Sequence, residues 1–162
     1  NIPGRTGVKM SRETTIRASQ VDNIVGVKDA TEDLDLIARV IDGTDDDFHV
    51  WSGNDGDTFP VLCLGGYGVI CVISNLYATQ MRRLIDLTIE GRLDAAAAEH
   101  IRLLPLANGM TGIASNPIPI KYSMNRMGFK VGDPRLPLVP PDGDVAAQVD
   151  KLLEGYSPDL VI

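Results

Sequence analysis

Cysteine and histidine are scarce in this chain of 162 residues, with two of each. Cys63 and Cys71 stand in apolar stretches, and His49 and His100 have no Cys or His close by. A zinc centre needs several such ligands clustered at short spacing, so no metal site is expected. The two cysteines read as small buried hydrophobic residues in a reducing cytoplasm rather than as a disulfide. Clusters of positive charge are lacking too. Lys and Arg number 15 against 22 Asp and Glu, which gives a net charge of -7 and a pI near 4.7. Nothing here could neutralise a phosphate backbone, which excludes a nucleic-acid partner. The acidic residues are spread out, as in 32–35 and 45–47, and serve solubility. The longest strongly apolar run, Gly68 to Ile73, is far shorter than the ~20 residues that cross a bilayer, so no membrane partner is expected.

What remains is an ordinary globular composition, 44% hydrophobic and 23% charged. The first half alternates strand-like and helix-like pieces. Ser11 is an N-cap for a helix running towards Val21, and a strand follows over Ile24 to Lys28. Leu34, Ile37, Ala38 and Ile41 recur at helical spacing before a stop at Gly43. Phe48 to Ser52 predicts a second strand. Asp57 or Thr58 caps a short helix that holds Pro60, Leu62 and Leu64 and ends at Gly65-Gly66. A third strand is expected over Gly68 to Ile73. Strand–helix repetition with short loops is the mark of βα units feeding a parallel sheet, so the fold class is α/β.

Beyond Asn75 only helical spacing remains. Met81, Leu84, Ile85 and Thr88 lead to Gly91, and a second helix runs through the alanines 95–98 to Leu104, where Pro105 should bend or end it. Asn116-Pro117 opens a third helix closed by Gly128. After a proline-rich loop, Asp142 or Asp144 caps a last one through Leu153. The change of pattern sets an expected division between 1–91 and 92–162.

Lys28 closes the apolar run Ile24-Val25-Gly26-Val27-Lys28, at the C-terminal end of its strand. Desolvation in such a place disfavours the ammonium form and favours the neutral amine, which can attack a carbonyl to give a Schiff base. The bland alternative is a strand-end lysine that snorkels to water. Upstream lies Asn1-Ile2-Pro3-Gly4-Arg5-Thr6-Gly7. Downstream lie Ser52-Gly53-Asn54-Asp55 and Gly65-Gly66-Tyr67-Gly68-Val69-Ile70, and then Asn116-Pro117-Ile118-Pro119-Ile120-Lys121. The glycines at 65–68 end a helix before a strand, the reverse of a nucleotide-binding turn, so a phosphate cradle is rejected.

Together these segments resemble the dihydrodipicolinate synthase family of pyruvate-dependent class I aldolases. The resemblance implies a TIM (β/α)8 barrel. Such a barrel needs ~250 residues, so this chain reads as the C-terminal part of a longer polypeptide, with about three of the strands and a helical appendage. It implies a synthase that condenses pyruvate with L-aspartate semialdehyde on the way to lysine and diaminopimelate. No metal or organic cofactor is implied, and the family is a homo-oligomer, a tetramer or a dimer. By the same resemblance Lys28 forms the imine, Arg5 and Thr6 bind the second substrate, and Gly53 and the main chain of Ile70 shape the pyruvate pocket. A guanidinium suits a substrate carboxylate because its planar fork grips both oxygens while staying charged. The family's catalytic tyrosine and its Gly-Thr-Thr-Gly-Glu loop match nothing here. Two alternatives stay open. One is another pyruvate aldolase, of N-acetylneuraminate-lyase or 2-keto-3-deoxy-sugar-acid type, against which Arg5 argues. The other is a non-catalytic fragment that needs a separate N-terminal half.

Overall fold

The computed structural model describes residues 1–158. It opens on a single helical turn, α1 (Pro3–Thr6), with Pro3 where a missing N–H costs nothing and Gly7 closing it at φ 71°. Helix α2 (Arg12–Ser19) starts at the expected cap, where Ser11 Oγ accepts the Thr14 N–H at 3.3 Å. Strand β1 (Gly26–Asp29) leads to α3 (Leu34–Asp42), capped by the Asp33 carboxylate on the Leu36 N–H at 2.9 Å and ended by Gly43. Then come β2 (His49–Ser52), a 3-10 turn (Asp55–Asp57), α4 (Thr58–Cys63) and β3 (Gly68–Val69).

The three strands form one parallel sheet in the order β1-β2-β3, with Lys28 beside Trp51 and Trp51 beside Gly68. Neighbours in register share a face, so the sheet has two unlike sides. Val27 and Val50 face α3 and α4, in a core with Ile37, Val40, Phe48 and Val61. Gly26, Lys28, His49, Trp51 and Gly68 line the other side. No helix among the described residues covers that side as α3 and α4 cover the first, and Lys28, His49 and Trp51 are only half-buried.

Several expectations need correction. The third strand does not reach Ile73, because the Val72 and Ile73 amides turn to the Asp55 carboxylate, at 2.9 and 3.0 Å for Val72 and 2.8 Å for Ile73. These bonds lead the chain into α5 (Ser74–Ile89) instead of extending the ladder. In α4 the buried side chains are Thr58 and Val61, whereas Leu64 lies past the helix end and is 39% exposed. Cys63, expected to be buried, is exposed on the same turn. Pro105 does not end its helix: α6 runs over Leu93–Gly112. The carbonyl that loses its donor there belongs to Ile101, which is 68% exposed, so water can satisfy it.

Helices α7 (Ile118–Arg126) and α8 (Gly143–Leu153) complete the fold, the latter capped by Asp142 on the Val145 N–H at 2.9 Å. One continuous core, from Ile73 and Leu84 through Leu103, Leu106 and Met110 to Ile120 and Val149, joins α5 to α8. Each such Leu or Ile is worth about 1.5–3 kcal/mol of burial, and together they hold the α6–α7 loop in place.

Candidate functional site

The site is built on the C-terminal ends of the strands. Asn1 lies alongside β1: its nitrogen donates to the Lys28 carbonyl at 2.9 Å, and its own carbonyl accepts the Ala30 N–H at 2.9 Å. The Asn1 side chain donates to Asp29 Oδ2 at 3.0 Å and accepts the Met10 N–H at 3.0 Å. Asp29 is buried and uses Oδ1 to hold Thr31 through its N–H at 2.9 Å and its hydroxyl at 2.5 Å. These bonds fasten the segment carrying Arg5 to the strand carrying Lys28.

Lys28 itself is half-buried on the uncovered face of the sheet. Beside it the Trp51 ring lies against Gly26, where any Cβ would collide with both the ring and the His49 carbonyl. Trp51 meets Tyr67 edge-on at 5.4 Å, and Tyr67 stacks on His49 at 4.0 Å. A cluster of three rings thus stands on the sheet face to which Lys28 belongs, with Trp51 its register neighbour. Only the glycine reading of the Ile-Val-Gly-Val-Lys run could have signalled it, since Gly26 leaves the room.

Gly53 follows β2, and its N–H donates to the Asp29 carbonyl at 2.6 Å. A Cβ at Gly53 would sit 2.6 Å from Ala30 Cβ and 2.9 Å from the Asp29 oxygen, so the close approach of this loop to the end of β1 requires glycine. Ile70 follows β3, and its N–H donates to the Ser52 carbonyl at 3.0 Å. Its own carbonyl accepts no hydrogen bond among the described residues. Lys28, Gly53 and Ile70 are therefore brought to adjacent positions at one end of the sheet. Arg5 and Thr6 sit on α1. The Thr6 hydroxyl is spent locally, on the Ile2 and Val8 carbonyls at 3.2 and 2.9 Å. The Arg5 guanidinium reaches the α6–α7 loop, donating to Ser115 Oγ at 3.1 Å and to the Asn116 carbonyl at 2.9 Å. No hydrogen bond or ion pair joins Arg5 to Lys28 among the described residues.

Three further features were not read from the sequence. The buried Asp55 carboxylate sets the start of α5, beside Cys71, whose thiol burial and that neighbouring charge push up to about 12. Such a thiol stays protonated and inert. A cavity of about 540 Å³ lies between the loop after β2 and the second half of α6, lined by Glu32, Gly53, Asn54, Asp57, Asn108 and Thr111. It adjoins Gly53, but neither Lys28 nor Arg5 lines it. Asn116 Oδ1 is buried with no partner among the described residues, an acceptor to which a ligand or further chain can bring a donor. No group of His, Cys, Asp and Glu among the described residues could hold a metal ion, and no helix there is long and apolar enough to cross a membrane.

The sequence and fold of the chain are matched in known proteins. A profile of the dihydrodipicolinate synthetase family fits residues 1–155. The chain belongs to that family. A 4-hydroxy-tetrahydrodipicolinate synthase of Dehalococcoides mccartyi is 49% identical over 162 residues, 100% of this chain and 54% of its own length. The crystal structure of the dihydrodipicolinate synthase of Thermotoga maritima superposes with a TM-score of 0.89 at 42% identity, over 95% of this chain and 53% of that one. The chloride-inhibited dihydrodipicolinate synthase of Acinetobacter baumannii, crystallised in complex with pyruvate, gives a TM-score of 0.89 at 32% identity, over 96% of this chain and 53% of that one. The chain thus spans about half the length of the curated relatives it matches, and a C-terminal portion of a family member fits.

Proposed function

We propose that this chain is the C-terminal half of a 4-hydroxy-tetrahydrodipicolinate synthase, which condenses pyruvate with L-aspartate semialdehyde through an imine on Lys28. The observation that carries the proposal is Lys28 itself, at the end of β1 on the uncovered face of the sheet, in a chain matched from end to end by synthases. The three parallel strands supply part of a (β/α)8 barrel, and the uncovered face is its interior, which the remaining strands would close. Their closure would bury the amine, which α3 and α4, packed on the opposite face, do not cover. Residues 1–91 belong to the barrel and residues 92–162 to the helical domain, the two sharing the core that runs from Ile73 to Val149. Exposed apolar side chains on the outer helices, Ile89 and Ile101 among them, fit contacts in a homo-oligomer.

The chemistry follows from the amine. Lys28 Nζ attacks the keto carbon of pyruvate, water leaves, and a protonated imine forms. That cation draws electrons from the methyl group, so a methyl proton departs and an enamine results. The enamine carbon bonds to the aldehyde carbon of the semialdehyde, whose oxygen takes up a proton and becomes the 4-hydroxyl. The semialdehyde's amino group then attacks the imine carbon and expels the lysine, which closes the ring and frees Lys28. Arg5 holds the semialdehyde carboxylate, the free Ile70 carbonyl and the Gly53 turn border the pyruvate, and Thr6 fixes the turn that carries Arg5. No step draws on a metal or an organic cofactor.

Borohydride reduction in the presence of pyruvate, followed by peptide mapping of the complete enzyme, tests the reading. The expected adduct lies on the peptide holding Lys28 and is absent without pyruvate. A complete, active enzyme with no adduct there would remove the proposal. The uncovered sheet face favours a second statement, that this chain expressed alone is inactive until an N-terminal half joins it.

A further inference from the structure

We infer that Ser115, together with the main-chain carbonyl of Asn116, positions the Arg5 guanidinium, so that the α6–α7 loop takes part in selecting the carboxylate substrate. The inference rests on the proposed synthase reading and adds a residue to it. Arg5 stands on a helix of one turn with no buried residue, so its own element does nothing to fix a long side chain. What fixes it comes from 110 positions away, through Ser115 Oγ at 3.1 Å and the Asn116 carbonyl at 2.9 Å.

The choice of partners is informative. Arg12, Arg39, Arg82, Arg92, Arg102 and Arg126 each have a carboxylate within 4.0 Å. Arg17, Arg83 and Arg135, like Arg5, form no ion pair among the described residues, and of these four Arg5 alone donates to two neutral acceptors there. A carboxylate partner would orient the guanidinium but also neutralise it and compete with an incoming anion. A hydroxyl and a carbonyl orient it and leave its charge in place. The guanidinium has five N–H groups, of which these bonds occupy two, so enough remain to grip a carboxylate with two parallel bonds. Arginine has a long, freely rotating side chain, and holding it in advance spares the loss of that freedom when substrate binds. Ser115 is the adjustable member of the pair, because the other is a main-chain oxygen that no substitution removes. The α6–α7 loop is itself held by the core that joins α5 to α8.

The test compares Ser115→Ala and Ser115→Thr in the complete enzyme. Loss of one exposed hydrogen bond, with the Asn116 carbonyl still in place, predicts a KM for L-aspartate semialdehyde raised about three- to tenfold in Ser115→Ala. The KM for pyruvate stays unchanged, and Ser115→Thr, which keeps the hydroxyl, restores the semialdehyde value. A second readout needs no turnover: phenylglyoxal should modify Arg5 several times faster in Ser115→Ala, followed by peptide mass. A semialdehyde KM within twofold of the parent, or a rise shared equally by pyruvate, overturns the inference while leaving the synthase reading intact. If instead pyruvate is never trapped on Lys28, the synthase reading falls, and the phenylglyoxal rate alone decides whether Ser115 holds Arg5. An unchanged rate refutes that role.

Discussion

At the scale of single residues, the site depends on atoms that are missing as much as on atoms that are present. Gly26 makes room for the Trp51 ring beside Lys28, and Gly53 lets the loop after β2 close to 2.6 Å on the Asp29 carbonyl. The obstacles a Cβ would meet at Gly53 are a backbone oxygen and the Cβ of Ala30, neither of which can swing aside. Gly53→Ala should therefore lower the stability of the complete enzyme by about 1–3 kcal/mol, the usual cost of overpacking. Because the displaced atoms directly follow Lys28, imine trapping by pyruvate and borohydride should slow as well. Urea denaturation and the trapping rate measure the two effects. If Gly53→Ala matched the parent in both, the contact would have no part in shaping the site.

At the scale of elements, side chains that act locally were readable and those that act at a distance were not. Ser11, Asp33 and Asp142 each accept an N–H three residues ahead, and of these Ser11 and Asp142 follow from the sequence as caps. Asp55 instead holds the two amides just ahead of α5, from 17 and 18 residues upstream, a distance at which no spacing rule applies. That single carboxylate draws the Val72 and Ile73 amides out of the ladder, whose last bond runs from the Ile70 N–H to the carbonyl of Ser52, where β2 ends. It also places negative charge at the positive end of α5. Lys28 was legible as the end of an apolar run, whereas Gly53 and Ile70 entered only through the family resemblance, Ile70 within a strand expected to run on to Ile73; the parallel register sets the three at one end of the sheet. The tie between Arg5 and Ser115 was not legible, because it depends on how two helical regions pack. Asp55→Ala should leave the Val72 and Ile73 amides without an acceptor, one in the core and one beside it, at about 1–3 kcal/mol for each such group. Asp55→Asn, which keeps one oxygen, should lie between the variant and the parent. Denaturation midpoints of the three proteins check the order, and an Asp55→Ala protein as stable as the parent would contradict this account of α5.

At the scale of the whole molecule, the sheet has one face packed by helices and one face not. Three strands with both edges unpaired are a poor unit by themselves, and an uncovered edge invites pairing with other chains. The uncovered face carries Trp51, the one tryptophan in the chain, so a spectroscopic probe is built in where closure would occur. Covering that face with the remaining strands would take a half-buried indole out of water. Mixing or co-expressing this chain with the N-terminal half of a family member that lacks tryptophan should shift the emission of Trp51 to shorter wavelength. The same complex should elute as a single species, whereas the chain alone should self-associate, as read by size exclusion with light scattering. An emission spectrum that does not move when a stable complex forms would mean that the second half lies elsewhere. Lys28 would then not face a closed interior, and the desolvation on which imine chemistry depends would have no source.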